Sequence, residues 1–445
     1  MLRRWKLLTA LFAVLALVAA ACGGDDAGSD TTAAPATTTT QATTTTTVAA
    51  TTTTTAATGD TTTTTAPPVV RADADLVIWA DDTRTPVIRP FAEAFGADNG
   101  LTVAVQELGS GDIRDRLITA DPAGEGPDII VGAHDWLGQL VANGVIAPID
   151  IAGITDTFAE VAVNAFTYEG KTYGVPYAVE SVALIRNTDL VPTAPATFEE
   201  LETIALGLVD DGTVTVPLAL QQNGNGDPFH NYPLVTALGG YVFGSPELGY
   251  DPNDLGLDSP GGLKAAEAFG AWSESGLVNI DVTYDVMLES FGSGDAPFAI
   301  TGPWAVSSFG DVNYVVEPIP PVQGGTPAPF VGVQGFMVAT NAANPLIAET
   351  FLLDVMAGEA AQLALYEAGN RAPANLAAFA VASGDPDVQG FGLSSANGFP
   401  MPAIPEMGSV WSAWTDAYEL IFTGTDPQQA FKDAAAQIRN LIAGS

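Results

Sequence analysis

GPDIIVGAHDWLGQLVANG, residues 126–144, holds one strand–turn–helix unit. Ile129 to Gly132 is a short apolar run of strand length. A polar turn follows at His134 and Asp135. Trp136 to Val141 continue as a helix that stops near Gly144. The same alternation extends outward. Leu76 to Trp79 and Leu101 to Val105 read as strands. Val87, Ile88, Phe91 and Phe95 recur at helical spacing, as do Ile113, Leu117 and Ala120. Strand alternating with helix predicts an α/β fold with a mostly parallel sheet covered by helices. Later in the chain, 299–301 and 333–339 read as strands, and 346–357, 359–368, 409–422 and 427–442 as helices. No short internal repeat is visible. Composition marks no sharp boundary after residue 71, which fits two lobes that the chain crosses between several times.

The chain has 445 residues, with 14 Lys+Arg against 52 Asp+Glu and a formal net charge of -38. Such a surface repels nucleic-acid phosphates and anionic lipid headgroups, so neither is an expected partner. The hydrophobic share of 47% is ample for real cores. There is one cysteine, Cys22. It excludes an intrachain disulfide and leaves no thiol for metal or catalysis in the folded part.

The chain opens MLRRWKLLTALFAVLALVAAACGG. Arg3, Arg4 and Lys6 form a basic start. Leu7 to Val18 is an apolar run too short to span a bilayer. Ala19, Ala20 and Ala21 lead into Cys22. Residues 1–21 therefore read as a signal peptide, and the ending resembles a lipobox, whose cysteine becomes the acylated first residue. Lipoboxes prefer Leu where Ala19 stands. Loss of Arg3, Arg4 and Lys6 takes the formal charge from -38 to -41. From Thr31 to Pro68 the chain is mostly Thr with Ala and Pro, and Val48 is its only large apolar residue. It cannot bury a core. Residues 22–70 are expected to be a disordered tether of roughly 150 Å if stretched. The address is extracytoplasmic, held at the cell membrane by lipid alone, with Arg71 opening the folded part.

Four aromatic residues of that part stand near Gly, Pro or polar groups: Trp136, Phe229, Trp304 and Trp411. Sugar rings stack their C–H faces on aromatic planes, and their hydroxyls hydrogen-bond to carboxylates, amides and guanidinium groups. A sugar site therefore needs flat rings flanked by Asp, Glu or Arg. Any single Trp is more often core, so only the combination points to a site.

That combination resembles the maltose-binding protein family. The matching stretches are LVIWADD (76–82), GPDIIVGAHDWLG (126–138), VPYAVESVALIRN (175–187), PLVTALGGYVFG (233–244), ITGPWA (300–305), PFVGVQGF (329–336) and MPAIPEMGSVWSAW (401–414). They fall in the family's order with similar spacing. The resemblance implies a two-lobed periplasmic-binding-protein fold of type II with three interlobe crossings, near 178–182, 330–336 and 380–387. The N-terminal lobe would hold 71–180 and 332–383, and the C-terminal lobe 181–331 and 384–445. Sugar would lie in the cleft between them, and the lobes would close on it.

The resemblance also implies site residues. Asp82 falls near an aspartate used for sugar hydroxyls, and Arg84 near the family's lysine, both across a one-residue gap. Asp135 matches a hydroxyl-binding aspartate. Glu180 matches a glutamate at the hinge side of the cleft. Asp227 and Phe229 stand where the family has Glu and Tyr. Tyr284 matches a cleft tyrosine, and Trp304 and Trp411 match two stacking tryptophans. There are departures. Gly132 replaces a stacking Trp and Trp136 replaces an Arg, as if a ring had moved along the turn. Ser412 and Thr415 replace a Tyr and an Arg.

Other roles compete at several of these positions. Asp82 could cap the next helix. Trp414, three residues after Trp411, reads as core, and His134 as a structural residue of its turn. His134 and His230 are far apart in sequence with no accompanying ligand spacing, so no metal and no cofactor are expected. The expected function is that of a substrate-binding lipoprotein of an ABC importer for maltose or maltodextrin. The expected chain is a monomer, not an enzyme, and its partners are two permease subunits and a cytoplasmic ATPase. Alternatives are a binding protein for trehalose or another α-glucoside, a secreted glycoside hydrolase using Asp135, Glu180 and Asp227, and a surface scaffold.

Overall fold

The computed structural model describes residues 70–244 and 249–444. The expected signal peptide, Cys22 and the Thr-rich tether lie outside the described residues. The first half runs β1 (Leu76–Ala80), α1 (Thr85–Asn99), β2 (Val103–Glu107), α2 (Ser110–Ala120), β3 (Ile129–Ala133), α3 (Leu137–Ala142), β4 (Ile146–Ala147), α4 (Glu160–Ala165), β5 (Thr167–Tyr168), β6 (Lys171–Thr172), β7 (Val175–Glu180) and β8 (Ala183–Asn187). It continues through α5 (Phe198–Asp210), α6 (Pro228–Ala237), β9 (Phe243–Gly244), β10 (Asp251–Leu255), α7 (Pro260–Glu274), α8 (Tyr284–Gly292), β11 (Phe298–Thr301) and β12 (Tyr314–Glu317). Last come β13 (Phe330–Ala339), α9 (Pro345–Phe351), α10 (Glu359–Gly369), β14 (Ala372–Pro373), α11 (Leu376–Ala382), α12 (Pro386–Ser395), β15 (Phe399–Pro400), α13 (Trp411–Phe422) and α14 (Pro427–Gly444).

The large sheet has the order β14-β7-β13-β3-β1-β2, with β4 and β15 also pairing along β13. β1 is buried along its whole length, as expected of a strand covered on both faces. The sheet is mixed, which corrects the expectation of a mostly parallel one. β1 pairs in parallel with β2 and β3. β13 runs antiparallel to both β3 and β7, and β14 runs antiparallel to β7. Parallel pairing needs a helical crossover between neighbours, which α1 and α2 supply. β13 instead arrives from a separate part of the chain and inserts in the opposite sense. The smaller sheet, β11-β8-β12, is antiparallel throughout. The helix expected over 346–357 is α9 followed by a π turn at Leu352–Met356.

Apolar side chains form two main cores and a satellite. The first core holds Leu76 to Ala178 residues together with Val333 to Ala374. The second holds Val182, Leu184 and Phe330, and then Met401 to Ile438. A satellite around Ile185, Phe291, Phe309 and Phe391 lies in the same half as the second. The chain changes core between Ala178 and Val182, between Phe330 and Val333, and between Ala374 and Phe391. β13 therefore starts in one core and ends in the other. Among the described residues, no helix is long and apolar enough to cross a membrane.

Candidate functional site

Some of the candidate residues are linked across the two cores: Trp136 packs against both, and Glu180 pairs with Arg371, which lies over Trp304. β3 ends at Ala133, and one 3-10 turn, His134–Trp136, follows it. His134 is buried and locks this turn. The backbone N–H of Val333 donates to its Nδ1 at 3.0 Å, and its Nε2 donates to the carbonyl of Met401 at 3.1 Å. Burial pushes its pKa down to about 4. Asp135 beside it is also buried, and its Oδ1 has no hydrogen-bond partner. Burial pushes this carboxyl up to about 6, with Glu180 nearby adding to the shift and Arg114 opposing it. A buried acceptor without a donor is costly unless a ligand completes it.

Trp136 packs against both cores. Its ring covers Gly132, coming within 2.1 Å of where a Cβ on that glycine would stand. The indole thus fills the space that a side chain at 132 would need. The same device appears on the other side. Trp304 follows β11 and folds over Gly302, with a ring atom 2.0 Å from that residue's would-be Cβ. Trp136, Phe229, Tyr284, Trp304 and Trp411 are all half-buried. Trp79 and Trp414 have no exposed surface, and Trp272 has 6%. Burial thus separates the rings that face outward from those of the core, Trp414 among the latter.

Asp227 caps α6, its Oδ1 accepting from the His230 N–H at 3.1 Å, and Pro228 opens the helix. This sets Phe229 and His230 on the first turn, the rings 6.1 Å and 5.9 Å from Trp304. Phe229 also stacks on Phe330 at 6.2 Å, and Phe330 meets Trp411 at 6.1 Å. Asp227 Oδ2 accepts from Gln221 Nε2 at 2.7 Å and Asn223 Nδ2 at 3.3 Å, and lies 3.0 Å from His230 Nδ1. Burial works against the carboxylate, but His230 and these donors outweigh it and hold its pKa below the ordinary value. Asn223 Oδ1 also accepts from the backbone N–H of Tyr284 at 3.1 Å, tying α8 to the same cluster. His230 is 5% exposed, and its Nε2 has no hydrogen-bond partner.

On the first-core side, Glu180 ends β7. Its Oε2 accepts from Arg371 Nε at 2.5 Å and its Oε1 from Gln334 Nε2 at 2.6 Å. Arg371 in turn lies over Trp304, 5.5 Å from the ring centroid. Arg84 is buried, paired with Asp81 at 2.6 Å and donating from Nε to the Tyr177 hydroxyl at 2.5 Å. Asp82 is exposed and accepts from the Thr83 N–H. It lies near enough to Tyr284 to help raise that phenol's pKa, an effect led by burial. Asp81, one residue earlier, takes the buried place beside Arg84.

Sequence reasoning missed Asp81, Tyr177, Gln334 and Arg371. Asp81 differs from Asp82 by one residue in a turn, where no periodicity tells inside from outside. Arg371 lies far along the chain and is near Glu180 only because β14 pairs with β7. Two cavities, of about 670 Å³ and 600 Å³, border Tyr250 and the 397–404 segment; neither is lined by Asp135, Glu180, Trp304 or Trp411.

The model of the bacterial extracellular solute-binding protein family matches residues 91–390. The chain is 31% identical to the maltodextrin-binding protein MdxE of Bacillus subtilis, over 82% of this chain and 89% of that one. It is 26% identical to the galactooligosaccharide-binding protein of the same organism, over 83% and 90%. It is 28% identical to a maltooligosaccharide ABC transporter solute-binding lipoprotein of Streptococcus pneumoniae, over 83% and 88%. Its fold matches the Thermus thermophilus maltotriose binding protein bound with maltotriose, with a TM-score of 0.76 and 29% identity, over 82% of this chain and all of that one.

Proposed function

The chain belongs to the bacterial extracellular solute-binding family, and we propose that it is the substrate-binding lipoprotein of an ABC importer for maltose- or maltodextrin-type oligosaccharides. The observation that carries this reading is the half-buried ring set. Trp136, Phe229, Trp304 and Trp411 are left partly open, Trp136 against both cores and the other three against the second, while Trp79 and Trp414 are fully buried. Rings of this kind offer faces to sugar C–H groups, and the unpartnered Asp135 Oδ1 and His230 Nε2 beside them suit sugar hydroxyls. The names of the relatives favour an α-glucan.

In this reading, residues 71–180 and 332–383 form one lobe and 181–331 with 384–445 the other. Asp82, Asp135, Trp136 and Glu180 serve the ligand from the first, with Arg84 bracing Asp81 and Tyr177. Asp227, Phe229, Tyr284, Trp304 and Trp411 serve it from the second. Contacts from both lobes favour a closed form, and the permease subunits recognise it. Cys22 carries the lipid anchor, the protein acts as a monomer, and it catalyses no reaction.

Titration calorimetry of the full chain against glucose, maltose, maltotriose, trehalose and a galactotriose tests this. Tight binding of maltose or maltotriose, with the sugar recovered intact, is the expected result. Tight binding of the galactotriose alone would move the ligand to another sugar class, and release of smaller sugars would make the protein a hydrolase.

A further inference from the structure

Two guanidinium groups lie against aromatic rings among the described residues. Arg84 lies over Tyr177, within the first core. Arg371 lies over Trp304, which packs against the second core and its satellite. Arg371 follows Asn370, whose left-handed φ of 52° ends α10, and precedes β14. Its side chain is 8% exposed. Nε is taken by Glu180, and Glu180 is fixed by Gln334. β7, β13 and the start of β14 thus set the plane of this guanidinium from strands of the large sheet.

A guanidinium carries five N–H donors in a rigid fork. One is used here. Neither terminal nitrogen of Arg371 has a hydrogen-bond acceptor among the described residues. These amino groups are not sealed from solvent, and sugar oxygen acceptors set beside the Trp304 ring would take the place of water on them. Gly369 keeps the approach clear, since a Cβ there would stand 2.6 Å from Nη1.

We propose that Arg371 is a specificity-determining residue of the cleft, whose terminal amino groups donate to two neighbouring hydroxyl oxygens of the sugar unit stacked on Trp304. Glu180 and Gln334 act through it as positioning residues. The proposal rests on the oligosaccharide-binding reading above. It adds the group that reads the hydroxyl pattern, since stacking alone discriminates poorly between sugars of similar shape.

The test is calorimetry of the full chain and of Arg371→Met against maltotriose and its monodeoxy analogues. Arg371→Met is expected to weaken maltotriose roughly 10- to 100-fold. At least one hydroxyl deletion that costs the wild-type chain affinity is expected to cost the variant nothing. A purely structural role would weaken every sugar by the same factor, and that result overturns the proposal. So does maltotriose binding unchanged in Arg371→Met, which leaves the oligosaccharide reading standing. A wild-type chain that takes up no glucan removes that reading and the proposal with it. Should Arg371→Met not fold, Arg371→Lys keeps the charge beside Glu180 without the fork, and the deletion criterion is applied to it.

Discussion

The indole of Trp136 occupies the space above Gly132, a ring carbon standing 2.1 Å from where a Cβ would be. The two positions are therefore one packing unit, and a side chain at 132 excludes the present rotamer at 136. Gly132→Ala is expected to destabilise the fold by about 1–3 kcal/mol through overpacking. The same change made in Trp136→Ala should cost far less. Denaturant melts of the four proteins of this cycle check the coupling. Additive costs would mean the contact is not the cause.

Asp135 makes stability depend on pH in the less common direction. Its folded pKa, about 6, lies above the ordinary 3.8, so the folded state holds the proton more tightly than the unfolded chain. Its contribution falls as pH rises from about 4 to 6, by up to about 3 kcal/mol. Asp135→Asn should remove that slope and be more stable at pH 7.5, while binding sugar more weakly. Urea melts from pH 4 to 8, with calorimetry at pH 7.5, measure both. A variant less stable at pH 7.5 would contradict the assignment.

His134, its neighbour, has the opposite sign. Its folded pKa of about 4 lies below the ordinary 6.5, so the unfolded chain takes up the proton first. Stability from this residue is intact above pH 6.5 and is lost as pH falls to 4, by roughly 3 kcal/mol at most. His134→Gln should lose this acid sensitivity. It should also lose about 1–3 kcal/mol at pH 7.5, because the bonds to Val333 and Met401 are disturbed. Melts over pH 4–7.5 that kept the wild-type slope would show that another group titrates.

Three tryptophans should divide by readout. Trp304→Ala and Trp411→Ala are each expected to weaken sugar binding by ~1–3 kcal/mol with the fold intact. Trp414→Ala should instead destabilise by about 3–5 kcal/mol, because its ring is fully buried. Calorimetry beside thermal melts separates the two effects, and unchanged affinity in both Trp304→Ala and Trp411→Ala would sink the site.

Cys22→Ser should move the protein from the membrane fraction to the soluble fraction of the cell envelope. Fractionation with immunodetection reads this directly. A variant that stays with the membrane would show that something other than a lipid on Cys22 holds it.

Local chemistry sufficed for some of the elements and for the choice of candidate rings. Apolar runs such as LVIWA and the strand–turn–helix unit at 126–144 can bury themselves in few ways, so β1, β3 and α3 were legible from periodicity. The helix that starts at Asp227-Pro228 went unread, although a capping carboxylate followed by a fixed φ is the signal that marks such a start. The rings at 136, 229, 304 and 411 were marked by their neighbours along the chain. The direction of β13 was not legible, since strand sense depends on where the chain comes from and leaves no trace in side-chain alternation. Nor was the choice of Asp81 over Asp82 for burial, which a single turn decides. The link Glu180–Arg371–Trp304 joins residues from three distant stretches of chain. Only strand pairing between β7 and β14, and the meeting of two separately built cores, brings those three side chains within reach of one another.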